Sequence, residues 1–302
     1  MTFAQALPLH AVIGGTDDGI PIILLTGLGQ QAIGWPDGFL SALAIAGYRL
    51  IRPDNRDAGL SPACGPEMID SLTIDDFPDA GPLRTPPVYR LQDMAIDVIG
   101  LMDRLQLGRV HLIGYSMGGM IAQIVAARYP ERVLSLTVLM SSAGQEWIDC
   151  QDIARMAMAR TIVAEKDAAA RIAAHIADHA VYTGSAYPIA VDRLQMHAAA
   201  AIGRSYRPAG IWRQACAIRG SGDRRDLLRR ITAPTLVLHG DEDRCIALAQ
   251  AREMLNLVAG CDMQVLPQAG HDLHPALAMK IVPKLLRHLE GADASSRIAT
   301  SP

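Results

Sequence analysis

An α/β fold, a mostly parallel central sheet flanked by helices and carrying one helical insertion, is predicted by two features of the sequence. Short apolar runs of β-branched character alternate with longer helical segments, the pattern of a parallel sheet covered on both faces. The alternation then stops once, for about ninety residues, and resumes. At 302 residues the chain has room for about two domains, or for one large α/β domain with an insertion.

The strands follow in order at Ile20–Leu25, Tyr48–Asp54, Arg109–Gly114, Leu134–Met140, Thr235–His239 and Met263–Leu266, with a leading strand at Leu9–Ile13. Helical patterns occupy Leu91–Leu105, Met117–Arg128, Leu248–Val258 and Ala276–Leu289. Between Ser142 and Ile231 the composition turns to Ala, Arg, Met and His. Helical propensity there falls on Ile153–Ala164, Ala168–Ala180 and Ile189–Ile202, and Gly184, Pro188 and Pro208 divide these segments. The expected organisation is a core of residues 1–141 and 232–290, a helical cap of residues 142–231, and a frayed, small and polar tail of residues 291–302. Ser61 to Val88, rich in Pro, Gly and Asp, reads as a long functional loop.

Composition narrows the partners. Twenty-eight basic against 31 acidic residues leave a net charge of −3, which provides no basic field to gather nucleic acid or anionic lipid. No apolar run reaches the length of a membrane span, and Met1 to Gly19 lacks a basic residue ahead of an apolar run. The five cysteines (Cys64, Cys150, Cys216, Cys245 and Cys261) are far apart and without C-x-x-C spacing. Neither a disulfide framework nor a zinc site is expected, and a cytoplasmic setting is the simplest. The apolar residues of the cap suit a covered cleft and a subunit surface equally, so no oligomeric state is assigned.

The chemistry centres on Arg109 to Gly119, an apolar strand running into Gly114–Tyr115–Ser116–Met117–Gly118 and then into a helix. A G-x-S-x-G at a strand-to-helix turn is a nucleophile elbow: the serine sits on a strained turn, and side chains at either glycine would clash with the neighbouring strand and helix. A serine hydroxyl needs a base, and the base needs an acid, in the chain order Ser, acid, His. Asp243 lies at the carboxyl end of the strand Thr235–His239, with Asp241 as the alternative acid in a turn role. His271 lies in the loop ahead of the last helix, with His274 as the alternative base. His175 and His179 have i, i+4 spacing but too few companions for a metal, and are expected to be solvated helix positions.

These motifs resemble those of the α/β-hydrolase fold family over nearly the whole chain apart from the insertion and the tail. The resemblance maps the family's acid, last in G-x-x-D, onto Asp243 and its base, second in a Gly-His pair, onto His271. It implies an oxyanion hole from the backbone N–H groups of Met117 and Leu28, the latter in Leu24–Gly29, where Thr26 replaces the family's usual histidine. Asn55–Ser61 is similar to the family's turn after the third strand, with Asp57 in place of a glycine, and Arg56 is expected to pair with a nearby carboxylate. The stretch from Leu28 to Pro36 resembles small-molecule esterases related to aclacinomycin methylesterase.

The resemblance implies a serine esterase acting on a small to medium, partly apolar ester without metal or organic cofactor. A cofactor-free haloperoxidase or perhydrolase and a carbon–carbon bond hydrolase are the alternatives with the same triad; a non-catalytic ligand-binding protein is the alternative from another class. Trp147, Tyr182, Tyr187 and Trp212 are the candidate substrate contacts of the insertion.

Overall fold

The structure, a computed structural model, describes residues 5–66, 86–144 and 167–299. Trp147, the helix expected at Ile153–Ala164 and most of the loop expected at Ser61–Val88 lie outside the described residues. Seven strands, β1 (Ala11–Gly15), β2 (Ile20–Leu25), β3 (Tyr48–Pro53), β4 (Val110–Tyr115), β5 (Val133–Leu139), β6 (Thr235–Gly240) and β7 (Asp262–Leu266), form one sheet in the order β1-β3-β2-β4-β5-β6-β7. Every pairing is parallel except β1 with β3.

Successive side chains of a strand point to opposite faces, so strands that are apolar at every position need helices on both sides. Ile22 and Leu24 of β2 face one side and Ile23 and Leu25 the other, and all four are fully buried. The first side is covered by α1 (Asp37–Ile45), through Phe39 and Leu43, and by the last helix, α10 (Pro275–Ala299), through Leu277, Ile281, Leu285 and Leu289. Against the other lie α2 (Leu91–Arg104) and α3 (Met117–Arg128), joined by Leu228 of α7 (Arg225–Leu228), Ala251 of α8 (Leu248–Arg252) and Met254 of α9 (Met254–Leu257). Three further helices, α4 (Ala168–Tyr182), α5 (Val191–Arg204) and α6 (Pro208–Gly220), come from the stretch without strands. Among the described residues no helix is long and apolar enough to cross a membrane.

The turn after β3 ties the sheet to these helices. Arg56, expected to pair with a carboxylate, is fully buried and forks onto Asp97 of α2, Nε to Oδ2 at 2.6 Å and Nη2 to Oδ1 at 2.8 Å. Asp57 takes a positive φ of 66°, a conformation natural to glycine and tolerated by aspartate. The carboxylate gained by that exchange accepts two bonds from Arg213 of α6, at 2.9 and 2.6 Å.

The fraying expected of residues 291–302 is absent from residues 291–299, and the last three residues lie outside the described ones. Helix α10 continues to Ala299, because Asp293 has partners in the sheet: it accepts from the Tyr48 hydroxyl at 3.0 Å and meets Nε2 of the fully buried His111 at 2.9 Å. The small, polar composition of the segment conceals this single inward carboxylate. Asp293→Ala takes away the acceptor of a buried imidazole and is expected to lower the unfolding free energy by about 1–3 kcal/mol. An unchanged urea midpoint would contradict the anchoring role.

Candidate active site

Ser116 stands between β4 and α3 with φ 53° and ψ −120°, a left-handed backbone that a non-glycine residue keeps only when its surroundings enforce it. They do so with four hydrogen bonds, one of them from the Met120 N–H to the Ser116 carbonyl at 3.2 Å. The Ser116 N–H donates to Leu139 O at 2.9 Å, and the Ser116 carbonyl accepts from Gly119 N–H at 2.9 Å and from the Ser141 hydroxyl at 2.8 Å. A Cβ on Gly114 would lie 2.4 Å from Gly118 O, and one on Gly118 would lie 2.1 Å from Leu25 O. Both glycines of the elbow are therefore steric requirements.

The carboxyl ends of β6 and β7 bring the partners to the same edge of the sheet. His271 Nε2 lies 2.9 Å from Ser116 Oγ, and its Nδ1 lies 2.7 Å from Asp243 Oδ2. The other oxygen of Asp243 accepts the backbone N–H groups of Cys245 and Ile246, each at 2.8 Å. Burial opposes the Asp243 charge, yet the adjacent imidazoles and these hydrogen bonds hold its carboxyl below the usual value. The His271 loop is fixed at both backbone groups: its N–H donates to Tyr182 O at 2.7 Å and its carbonyl accepts from the Tyr115 hydroxyl at 2.6 Å.

The alternative residues have other work. Asp241 accepts the Gln268 N–H at 2.6 Å, closing a turn. His274 Nδ1 accepts from Ala276 N–H at 3.0 Å, at the start of α10. A second imidazole that no motif singles out, His239, is fully buried with Nε2 3.3 Å from Asp243 Oδ2 and 2.9 Å from the Ile246 carbonyl. Burial pushes its pKa down, and its ring packs behind Asp243.

The loop after β2 lies against the serine: a Cβ on Gly27 would meet Ser116 Cβ at 3.2 Å. With Thr26 in place of histidine, other residues order this loop. The Gly27 N–H donates to Gln30 Oε1 at 3.1 Å, the Gly29 N–H to Gln214 Oε1 at 2.8 Å, and Asn55 Nδ2 to Thr26 O at 3.1 Å. Gln214, on α6, is itself held by donating to Arg56 O at 2.7 Å. Between the two fixed amides, the Leu28 N–H has no acceptor among the described residues. Met117, at the first position of α3, supplies the neighbouring amide at a helix N-terminus.

A cleft of about 1490 Å³ opens over Ser116 and His271, bordered by Leu28, Trp35, Met120, Tyr182 and Ile211. Of the candidate contacts, Tyr182 borders the cleft. Tyr187 and Trp212 do not border it. Tyr187 packs in the core, where its hydroxyl accepts from Lys280 Nζ at 3.1 Å; helical spacing alone does not tell a core aromatic from a pocket one. His175 and His179, expected in solvent, are half-buried and border the cleft, and burial drives the His175 pKa down to about 4. Their helix, α4, turns that face inward over the site.

The comparisons agree with this architecture. Residues 20–275 match the family model described as alpha/beta hydrolase fold. Rhodomycin D methylesterases DnrP of Streptomyces peucetius and DauP of Streptomyces sp. (strain C5) are each 33% identical over 123 residues, 41% of this chain and 35% of each relative. The likeness thus spans about a third of the methylesterases' length. The crystal structure of a hydrolase from Pseudomonas aeruginosa PA01 superposes with a TM-score of 0.69 at 24% identity, over 93% of this chain and 94% of that one. With the sheet, the elbow and the family match in agreement, the chain belongs to the α/β-hydrolase fold family.

Proposed function

We propose that this hydrolase cleaves a carboxylic ester through an acyl-enzyme on Ser116. The observation that carries the proposal is the unbroken Ser116–His271–Asp243 relay, 2.9 and 2.7 Å long, at the floor of the cleft. In the reaction His271 Nε2 takes the hydroxyl proton as Ser116 Oγ attacks the acyl carbon, and Asp243 stabilises the resulting imidazolium through Nδ1–H. The N–H groups of Leu28 and Met117 bind the tetrahedral oxyanion, which they can do better than the ground-state carbonyl. The imidazolium then protonates the departing alkoxide. Water, deprotonated by the same His271, attacks the acyl-serine and releases the acid.

Within the insertion, helices α4, α5 and α6 act as a cap that borders the cleft and selects the substrate. A cleft of about 1490 Å³ exceeds the roughly 300–1,000 Å³ of common small-molecule sites, which suits a bulky, partly apolar ester. The likeness to the methylesterases supports the same class.

Hydrolysis of p-nitrophenyl esters from acetate to laurate tests the proposal. Ser116→Ala and His271→Ala are expected to abolish turnover with circular dichroism unchanged, and Asp243→Asn to lower kcat by about 10⁴-fold by favouring the wrong tautomer. Asp241→Asn is expected to retain most activity. A fully active Ser116→Ala protein would overturn the mechanism, and a larger loss from Asp241→Asn would move the acid. Gln214→Leu frees the Gly29 amide and is expected to lower kcat about ten- to a hundred-fold with little change in KM, because the oxyanion donor acts on the transition state. A change confined to KM would show that the loop only binds substrate.

A further inference from the structure

Among the described residues, the two other buried arginines and the half-buried Arg204 are each matched with an aspartate. Arg56 forks onto Asp97, Arg213 onto Asp57 at 2.9 and 2.6 Å, and Arg204 onto Asp54 at 2.7 and 3.0 Å. Arg224 is the exception. It is 3% exposed, yet its hydrogen bonds go to neutral oxygens, Nη2 to Ser142 O at 3.1 Å and Nε to Gln123 Oε1 at 3.4 Å. Among the described residues no carboxylate forms an ion pair with it, and its Nη1 donates to no protein atom. Its neighbour Asp223, which also borders the cleft, acts on Arg224 only by its charge and forms its ion pair with Arg225, with Nε at 2.7 Å and Nη2 at 2.5 Å.

A buried cation without a counter-ion is costly, and folds avoid one unless the missing charge is delivered by something else. Burial lowers the Arg224 pKa to about 10, which leaves the guanidinium charged at neutral pH. Arg224 borders the same cleft as Ser116 and His271, beside Gly144. Gln123 lies seven residues after Ser116 on α3, a helix rise of about 10 Å. The free side of a single planar guanidinium suits a monoanion with two coplanar oxygens.

We propose that Arg224 forms a carboxylate subsite in the cleft, and that the ester cleaved at Ser116 carries a free carboxylate remote from its scissile carbonyl. The second clause rests on the esterase function proposed above; the first does not. The substrate class is thus the half-ester of a dicarboxylic acid, or the ester of a hydroxy acid, with an apolar span between the two groups. On binding, the substrate supplies the paired counter-ion that Arg224 lacks among the described residues.

Two measurements separate the subsite from the esterase chemistry. In the first, mono-p-nitrophenyl esters of α,ω-dicarboxylic acids are compared with neutral p-nitrophenyl esters of equal length, and acetates of ω-hydroxy acids with acetates of alkanols. The wild-type kcat/KM is expected to favour the carboxylate in one of these series by about ten- to a hundred-fold, with a maximum at one chain length. Arg224→Met is expected to bring that ratio towards one. Arg224→Lys, which serves if the methionine variant does not fold, is expected to lower it for want of a forked donor.

In the second measurement, titration calorimetry follows α,ω-dicarboxylates binding to Ser116→Ala and to Ser116→Ala/Arg224→Met. Binding that depends on Arg224 is expected, and it would uphold the subsite even if no ester were hydrolysed. Esters cleaved without regard to the carboxylate, together with binding indifferent to Arg224, would overturn the subsite and leave the esterase standing. A carboxylate preference that survives in Arg224→Met would overturn it too.

Discussion

The backbone of Ser116, held at φ 53° between β4 and α3, is the constraint on which the rest depends. It is possible only because Gly114 and Gly118 have no Cβ to strike Gly118 O and Leu25 O, so that β2, β4 and the first turn of α3 close on one another. Strain of this kind costs on the order of 1–3 kcal/mol, and the Leu139, Gly119 and Ser141 hydrogen bonds offset it. The result is a hydroxyl raised above the carboxyl ends of the strands. Two further strand ends, those of β6 and β7, need only carry an aspartate and a histidine to the same edge.

Helices α4, α5 and α6 are fixed to this edge by polar contacts, with Ala217 and Ile218 of α6 joining the apolar core. Arg204 reaches Asp54 at 2.7 Å, Arg213 reaches Asp57 at 2.6 Å, Gln214 spans Gly29 and Arg56, and the Tyr182 carbonyl receives the His271 N–H. Buried ion pairs of this sort add little net stability, because desolvation cancels most of their attraction. What they provide is registration: α6 cannot shift without moving the loop that carries Leu28, and α4 cannot shift without moving His271. The side chains of these helices that border the cleft and the Ser116–His271–Asp243 group are thereby set in one frame.

Much of this was legible in the sequence, and the boundary has physical causes. Strand positions, the elbow and the Ser–Asp–His order could be read because each depends on local residue types: continuous apolar runs, glycines flanking a serine, and a histidine after glycine at a strand end. Pro208 illustrates the opposite case. As a breaker it divides the insertion, yet it is the first residue of α6, a position where proline's missing N–H costs nothing. Losing that helix hid Arg213 and Gln214, which make their contacts with residues more than 150 positions away. Asp293 and Tyr187 were misjudged for the same reason, since one inward carboxylate or one buried phenol leaves no periodic trace. The unpaired state of Arg224 is a property of what surrounds it, and no pattern along the chain expresses it.

The most direct test of Ser116 as nucleophile is reaction with a fluorophosphonate, followed by intact-mass and peptide mass spectrometry. The reagent needs an activated serine and an oxyanion hole but no matched alcohol, so it bypasses the question of substrate. A single adduct on the peptide containing Ser116, absent from Ser116→Ala and from His271→Ala, is the expected result. A folded wild-type protein that stays unmodified, or one labelled equally after Ser116→Ala, would contradict the assignment.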